Sequence, residues 1–140
     1  MDSQGLEYLK KQRVSVICIL QDDSTVHAAT VHFAHTEEPP VFYFLTDKAS
    51  RKCRSLISGK DMAASIVIGF DENACVTFQS DGMVKILSDE AELEVGWEAY
   101  GGKYPERAGA RASTEAVLVK FTPTWSHFSE VATKERFKKH

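Results

Sequence analysis

The chain has 140 residues, of which 43% are hydrophobic and 26% are charged. This length and composition predict one folded domain over residues 1–140 and argue against a disordered chain, although we expect the charged tail over 130–140 to be flexible. The net charge of −3 argues against a protein that binds nucleic acid through general basicity. No apolar run approaches the roughly 20 residues of a membrane span. The first residues are polar, so we expect a cytoplasmic protein without membrane or nucleic-acid partners.

Apolar periodicity and turn residues predict three helices and six strands. In chain order these are a helix over Ser3–Arg13, strands over Val14–Leu20, Thr25–His35 and Val41–Thr46, a helix over Ser50–Ser58, strands over Met62–Phe70 and Cys75–Leu87, a helix from Ser88 to Gly101-Gly102, and a strand over Ala116–Thr122. Most of the strands are joined by short turns, which favour antiparallel pairing. The sequence therefore predicts a mainly β protein, a six-stranded antiparallel barrel that is closed or nearly closed, with helices packed outside it.

The segment over residues 42–52 carries the strongest chemical signal. An aromatic strand ends at Thr46, and a short turn leads into the predicted helix. That helix begins with Ser50, Arg51 and Lys52, where a helix N-terminus presents free N–H groups and a positive dipole. Arg51 adds a bidentate fork and Lys52 a point charge. With the two hydroxyls, these groups predict a site for a phosphate dianion.

A purely structural role for the same residues stays open. Ser50 could cap the helix, with Arg51 and Lys52 in solvent. Cations in a first turn oppose the helix dipole, at a cost of some tenths of a kcal/mol each. A bound anion would reverse that cost.

Five short motifs follow one another over roughly residues 6–128. They are Val26–Phe33, the pattern T-x-x-x-S-R-K at 46–52, Phe78–Gly82, Trp97–Pro105 and Lys120–Trp125. Their order resembles that of the pyridoxamine 5′-phosphate oxidase-like family of FMN-binding split β-barrels, which has general stress proteins and flavin reductase-like proteins among its relatives. Each motif alone is weakly specific, and the pattern at 46–52 is the strongest.

The resemblance implies an FMN-binding split-barrel oxidoreductase. Hydride or electrons would pass between bound flavin and a small organic substrate, in a homodimer with the cofactor at the interface. The implied cofactor residues are Thr46, Ser50, Arg51 and Lys52 for the phosphate, Ala29, Thr30 and Val31 along the isoalloxazine with Leu45 nearby, and Thr77, Gln79 and Trp125 on strands that reach the ring.

Two departures and several alternatives limit this expectation. Ala28 stands where pyridoxine phosphate oxidases carry a basic residue, and the chain lacks their C-terminal R-x-H-type motif, which argues against that particular activity. The turn over residues 46–52, which we call the phosphate turn after its predicted ligand, would suit a deazaflavin as well as FMN. The alternative function is a non-catalytic flavin-, deazaflavin- or haem-binding module of the same fold. A haem would need an axial ligand, for which His27, His32 or His127 could serve.

A metal site is not expected. His27 and His35 share a strand face, but they lie roughly 26 Å apart along an extended strand. The three cysteines cannot all pair with one another and form no C-x-x-C pattern. This favours reduced thiols in the cytosol. Cys53 lies on the predicted apolar face of its helix, so burial is favoured over a role as a reactive thiolate.

Overall fold

The computed structural model describes residues 3–130, and the expected flexible tail lies outside them except for Glu130. The elements are α1 (Ser3–Lys11), β1 (Val14–Leu20), β2 (Val26–His35), β3 (Phe42–Asp47), a short 3-10 helix (Arg51–Cys53), β4 (Met62–Ile68), β5 (Val76–Ile86), α2 (Glu90–Lys103), a second 3-10 helix (Pro105–Ala112) and β6 (Ala116–Glu130). No described helix is long and apolar enough to cross a membrane.

The six strands form a closed antiparallel barrel in the order β1-β2-β3-β6-β5-β4. This confirms the predicted mainly β, six-stranded antiparallel barrel with flanking helices. Pairing between β2 and β3 is short, from Phe33↔Phe44 to His35↔Phe42. β3 pairs with only the first part of β6, from Phe42↔Phe121 to Asp47↔Ala116. The barrel is therefore incompletely paired on both sides of β3.

Aromatic rings fill the barrel interior. The Phe42 ring lies 5.9, 5.5 and 6.1 Å from the ring centroids of Phe33, Phe78 and Phe121. Alternate residues of each strand point inward, so every strand contributes to this cluster. Leu9 of α1 is fully buried against it. Because each such side chain contributes roughly 1.5–3 kcal/mol on burial, the core fixes the strand register.

A second apolar cluster lies between α2 and the outer surface of β2, β3 and β6. Asp89 caps α2 by accepting a hydrogen bond from the Glu92 N–H at 3.0 Å. Gly96 lets the helix approach the barrel closely, beside Tyr43 and Leu118. The buried members of the cluster are Ala34, Tyr43, Leu87, Trp97, Tyr100, Tyr104 and Leu118.

The predicted helix over Ser50–Ser58 is wrong. The segment forms only the 3-10 helix Arg51–Cys53, followed by turns, with i→i+3 bonds from Cys53 N to Ser50 O and from Leu56 N to Cys53 O. So short a segment is a marginal α-helix. Tertiary bonds hold the tighter form, since the Ser55 hydroxyl accepts from Asp22 N and donates to Gln21 Oε1.

The last strand and the last helix are longer than predicted. β6 continues past Thr122 to Glu130, because a bulge between Asp81↔Trp125 and Gly82↔Pro123 accommodates the proline. α2 runs through the predicted stop at Gly101-Gly102 and ends at Lys103, where Tyr104 N still bonds to Tyr100 O.

Gly96 and Gly101 give opposite predictions for one helix. A Cβ at Gly96 would lie 2.7 Å from Leu118 Cδ2 and 2.9 Å from Tyr43 Cδ1, whereas a Cβ at Gly101 would meet nothing within 4 Å. Gly96→Ala should therefore lower the free energy of unfolding by about 1–3 kcal/mol. Gly101→Ala should raise it by up to about 1 kcal/mol. Urea denaturation measures both, and a stabilised Gly96→Ala variant would contradict the packing described.

Candidate functional site

Two hydroxyls lie close together where β3 ends, in a turn that continues into Arg51 and Lys52. Thr46 Oγ1 lies 3.4 Å from Ser50 Oγ, which also contacts Cys53 Sγ at 3.7 Å. Arg51 is exposed and Lys52 is half-buried. The turn that joins Thr46 to Ser50 is closed by a hydrogen bond from Ser50 N to Asp47 O. The structure thus places the Thr46 and Ser50 hydroxyls side by side, and the residues that follow them in the same turn are Arg51 and Lys52.

The cations of this segment fall into two classes. Arg54 pairs with Asp23 at 3.3 Å, and Lys60 pairs with Asp22 at 2.6 Å. The side chains of Lys48, Arg51 and Lys52, by contrast, have no ion pair or hydrogen bond among the described residues. Two unpaired positive charges beside two hydroxyls form a suitable site for a dianion.

The expected helix dipole contributes little to this site. A three-residue 3-10 helix has too few aligned peptides for a substantial macrodipole. Ser50 makes no side-chain cap, which excludes the simple capping role considered from the sequence. Attraction for an anion therefore comes from Arg51 and Lys52 themselves.

The free edge of β2 lies on the β3 side. Phe33 N donates to Arg13 O at 3.0 Å, so Phe33 directs its N–H towards β1. Successive residues of an antiparallel strand direct their polar groups to alternate neighbours. The N–H and C=O of Thr30 therefore point away from β1. No described strand pairs with Thr30 on that edge, because the pairing with β3 ends at Phe33↔Phe44.

The other residues expected along the ring have different surroundings. Ala29 and Val31 pair with β1 residues, and the Val31 side chain lies in the barrel core. Leu45 packs against the α2 cluster. Of the three β2 positions, only Thr30 thus offers backbone groups at the free edge.

The remaining predicted residues lie at the opposite end of the barrel. Thr77 and Gln79 pair with Ser129 and His127 of β6, and Trp125 lies on the same half of β6. Ala116, which pairs with Asp47 near the phosphate turn, begins β6. At about 3.3 Å per residue, roughly 30 Å of strand separates Ala116 from Trp125. Within one chain, the two groups of site residues do not meet.

Trp125 belongs to a broad apolar surface. Along β1, β2, β4, β5 and β6, outward-facing apolar side chains are exposed by 38–68%. Helix α2 covers the opposite side of the barrel. We call this surface the open face; its members are Val14, Leu20, Val26, Val67, Met83 and Trp125.

Sequence reasoning did not group His127 with Trp125. Their rings stack at 6.1 Å with an interplanar angle of 17°. Both line a cleft of about 490 Å³ between the Pro39-Pro40 loop and the second half of β6, with Phe78 beneath. The i, i+2 spacing of Trp125 and His127 would have placed them on one strand face, but the predicted strand ended before them, at Thr122.

Cys53 is buried, as its place on an apolar face predicted. Its exposed fraction is 0%, and burial raises the pKa of its thiol despite the nearby Lys52. Among residues 3–130, no group of three His, Cys, Asp or Glu side chains could hold a metal ion.

Solved structures share this fold. A protein from Listeria innocua, provisionally described as a pyridoxamine 5′-phosphate oxidase, is 21% identical, with a TM-score of 0.68 over 89% of this chain and 94% of its own. HutZ, the haem storage protein of Vibrio cholerae, is 14% identical, with a TM-score of 0.72 over 91% and 93%. A Clostridium acetobutylicum protein related to general stress protein 26, of the pyridoxinephosphate oxidase family, is 15% identical, with a TM-score of 0.64 over 91% and 86%.

The chain has the split-barrel fold of pyridoxamine 5′-phosphate oxidase-like proteins. The resemblance carried by the five motifs is confirmed at this level, and at such identities the likeness shows the fold alone. By sequence, no family model and no curated protein matches the chain.

Cys53 gives a direct test of the packing beside the phosphate turn. Because its thiol is buried and its pKa is raised, Cys53 should resist iodoacetamide in the native split barrel at pH 8 and react only after unfolding. Peptide mass spectrometry locates the alkylated residue, and the half-buried Cys75 serves as an internal control. Rapid native labelling of Cys53 would show that the turn is packed differently.

Proposed function

We propose that the chain is an FMN-binding oxidoreductase that acts as a homodimer. The observation that carries this proposal is the pair of unpaired cations, Arg51 and Lys52, beside the hydroxyls of Thr46 and Ser50. The free edge of β2 at Thr30 adds backbone donors and acceptors on the same side of β3. These two features suit the phosphate and the polar ring edge of one flavin nucleotide.

The phosphate end is served by four side chains. The Arg51 guanidinium would donate two parallel hydrogen bonds to phosphate oxygens, and the Lys52 ammonium would add a point charge. The Thr46 and Ser50 hydroxyls would donate to the remaining oxygens. Because neither cation has another partner in the described chain, binding costs no existing ion pair.

The ring end is served mainly by backbone groups. The Thr30 N–H would donate to the polar edge of the isoalloxazine and its C=O would accept from that edge, both without a strand to displace. A bound flavin would supply hydride or electron transfer to a small organic substrate. The protein therefore needs groups that position the ring and restrict water more than it needs an acid–base pair.

A second copy of the chain would complete the site. Gln79 and Trp125 lie too far from Arg51 along the same chain to contact one cofactor, but they lie on or beside the open face. Burial of the open face in a two-fold dimer would cover its apolar side chains. It would also bring this second group to the partner's phosphate turn.

Arg51 and Lys52 can be tested against their paired neighbours. Replacing both with Ala should raise the Kd for FMN on the order of 100-fold, because about two charge-assisted hydrogen bonds are lost. The Arg54→Ala, Lys60→Ala double variant makes the same change in net charge on the same segment. It should retain FMN, since those cations already pair with Asp23 and Asp22. Flavin fluorescence quenching measures both, and equal losses would contradict the assigned phosphate site.

The dimer is tested by one charge placed on each side of the molecule. Val67 on the open face is 38% exposed, and Val95 on α2 is 48% exposed. Val67→Arg should yield a monomer that fails to bind FMN, because the charge would be desolvated in the interface. Val95→Arg should remain dimeric. Sedimentation equilibrium gives the mass of each, and a dimeric, FMN-competent Val67→Arg variant would rule out this interface.

Haem binding is the second candidate, and His127 favours it. Of the three histidines considered, His127 is exposed and lines the large cleft, stacked on Trp125. His32 instead packs edge-on against Tyr104, and desolvation with nearby Arg107 and Arg13 lowers its pKa. The visible spectrum separates the candidates, since a flavoprotein is yellow and a haem protein red-brown. Fluorescence of the bound cofactor distinguishes a deazaflavin from FMN.

A further inference from the structure

The cleft of about 490 Å³ runs along the edge of β6. We call it the β6 cleft; it is lined by residues 39–41 and 122–128, with Phe78 beneath. Because the side chains of a strand alternate between its two faces, seven residues in succession line one cleft only along the edge of the strand. The facing residues, 39–41, lead into β3, which pairs with β6 only as far as Phe121. The β6 cleft therefore lies where a longer β3 would have paired with β6.

The backbone of Ser126 is directed towards the β6 cleft. Trp125 O accepts a hydrogen bond from Ser80 Oγ at 2.7 Å, so Trp125 directs its carbonyl towards β5. Successive residues of an antiparallel strand direct their polar groups to alternate neighbours. The N–H and C=O of Ser126 therefore point away from β5, to the edge that borders the cleft. No described strand pairs with Ser126 on that edge.

A donor and an acceptor on one residue of a free strand edge are matched by a partner that carries both groups. In a sheet, the residue opposite supplies a C=O to the N–H and an N–H to the C=O. A cyclic amide offers the same pair, because its N–H and C=O lie on adjacent ring atoms and point to one side. Ser126 could thus form two hydrogen bonds with one edge of a small ring.

The rest of the β6 cleft is lined by rings rather than by charges. Trp125 and His127 stack at 6.1 Å on the β6 side, and Phe78 forms the floor. Pro39 and Pro40 form the facing wall. No Asp, Glu, Lys or Arg of the described chain is among the lining residues. A charged ligand would lose hydration there without gaining a counter-charge, whereas an uncharged planar ring would gain apolar and stacking contacts.

We propose that the β6 cleft binds an uncharged planar lactam, a heterocycle with N–H and C=O on adjacent ring atoms. The ligand N–H donates to Ser126 O, and the ligand C=O accepts from Ser126 N. Its ring lies against the aromatic lining, in a volume typical of small-molecule sites. Trp125 is shared with the proposed cofactor residues, but the phosphate turn lies at the other end of the barrel.

Two bicyclic compounds test the proposal, because they differ only at the ring nitrogen. Quinolin-2-one carries the lactam N–H, and its N-methyl derivative does not. Quinolin-2-one should bind about tenfold more tightly in isothermal titration calorimetry, the worth of one hydrogen bond. Naphthalene-2-carboxylate, a charged molecule of similar size, should bind more weakly than either. In NMR titrations, quinolin-2-one should shift the backbone amide resonance of Ser126.

Two variants of one residue test the protein side. Ser126→Pro removes the edge N–H, and because that N–H makes no ladder bond, proline is tolerated there. It should weaken both bicyclic compounds about tenfold, since each has a C=O that accepts from Ser126 N. Ser126→Ala keeps the N–H and removes only the hydroxyl, which lies 3.0 Å from Ser80 Oγ, so it should bind both as the wild type does. If Ser126→Pro fails to fold, the ratio between the two compounds in the wild type and Ser126→Ala decides.

The outcomes that overturn the proposal differ from failure of the cofactor site. Equal affinities for the two compounds, binding of neither, or unchanged binding in a folded Ser126→Pro variant would each reject the lactam site. Displacement of quinolin-2-one by FMN or by haemin would also reject it, because a cofactor would then occupy the cleft. The Arg51→Ala, Lys52→Ala variant should bind quinolin-2-one normally. A wild type that binds quinolin-2-one but no FMN would reject the proposed function and leave the lactam site in place.

Discussion

The shortness of β3 governs the rest of this structure. β3 has 6 residues, while its neighbours β2 and β6 have 10 and 15. Among the described strands, β2 therefore has no second partner before Phe33, and β6 has no second partner after Phe121. Backbone groups on such edges must be satisfied by something other than a strand. One free edge presents Thr30 beside the phosphate turn, and the other borders the cleft that holds Trp125 and His127.

The same topology divides the candidate cofactor residues between the two ends of the barrel. The phosphate turn follows the end of β3, near the start of β6, whereas Trp125 lies in the second half of β6. A single chain cannot close this gap without breaking strand pairing. The exposed open face gives an independent reason for a partner, since large apolar patches are typical of interfaces. The separation of the candidate residues and the exposed apolar side chains thus both support the proposed homodimer.

Much of the barrel could be predicted from the sequence, because its strands are apolar runs bounded by clear turn residues. The Ser50–Ser58 helix could not be excluded, since the bonds of Ser55 to Gln21 and Asp22 join distant parts of the chain. The length of β6 could not be predicted, because a proline such as Pro123 usually ends a strand and the bulge that accommodates it appears only in the pairing with β5.

The residues of the candidate site could be predicted from the sequence, but which of the nearby cations are already in ion pairs could not. The motif at 46–52 names the four residues that we propose for the phosphate, and the structure places the hydroxyls of two of them, Thr46 and Ser50, 3.4 Å apart. Which cations are free depends on Asp22 and Asp23, about thirty residues earlier, which pair with Lys60 and Arg54.

A site shared between two copies is tested most directly by mixing two inactive variants. One chain carries Arg51→Ala and Lys52→Ala, and the other carries Gln79→Ala and Trp125→Ala. Each homodimer should fail to bind FMN. A heterodimer, isolated by two different affinity tags, would contain one site with both halves intact, so the account predicts one FMN per heterodimer. No FMN in the heterodimer would show that the two groups of residues do not form a common site across the interface.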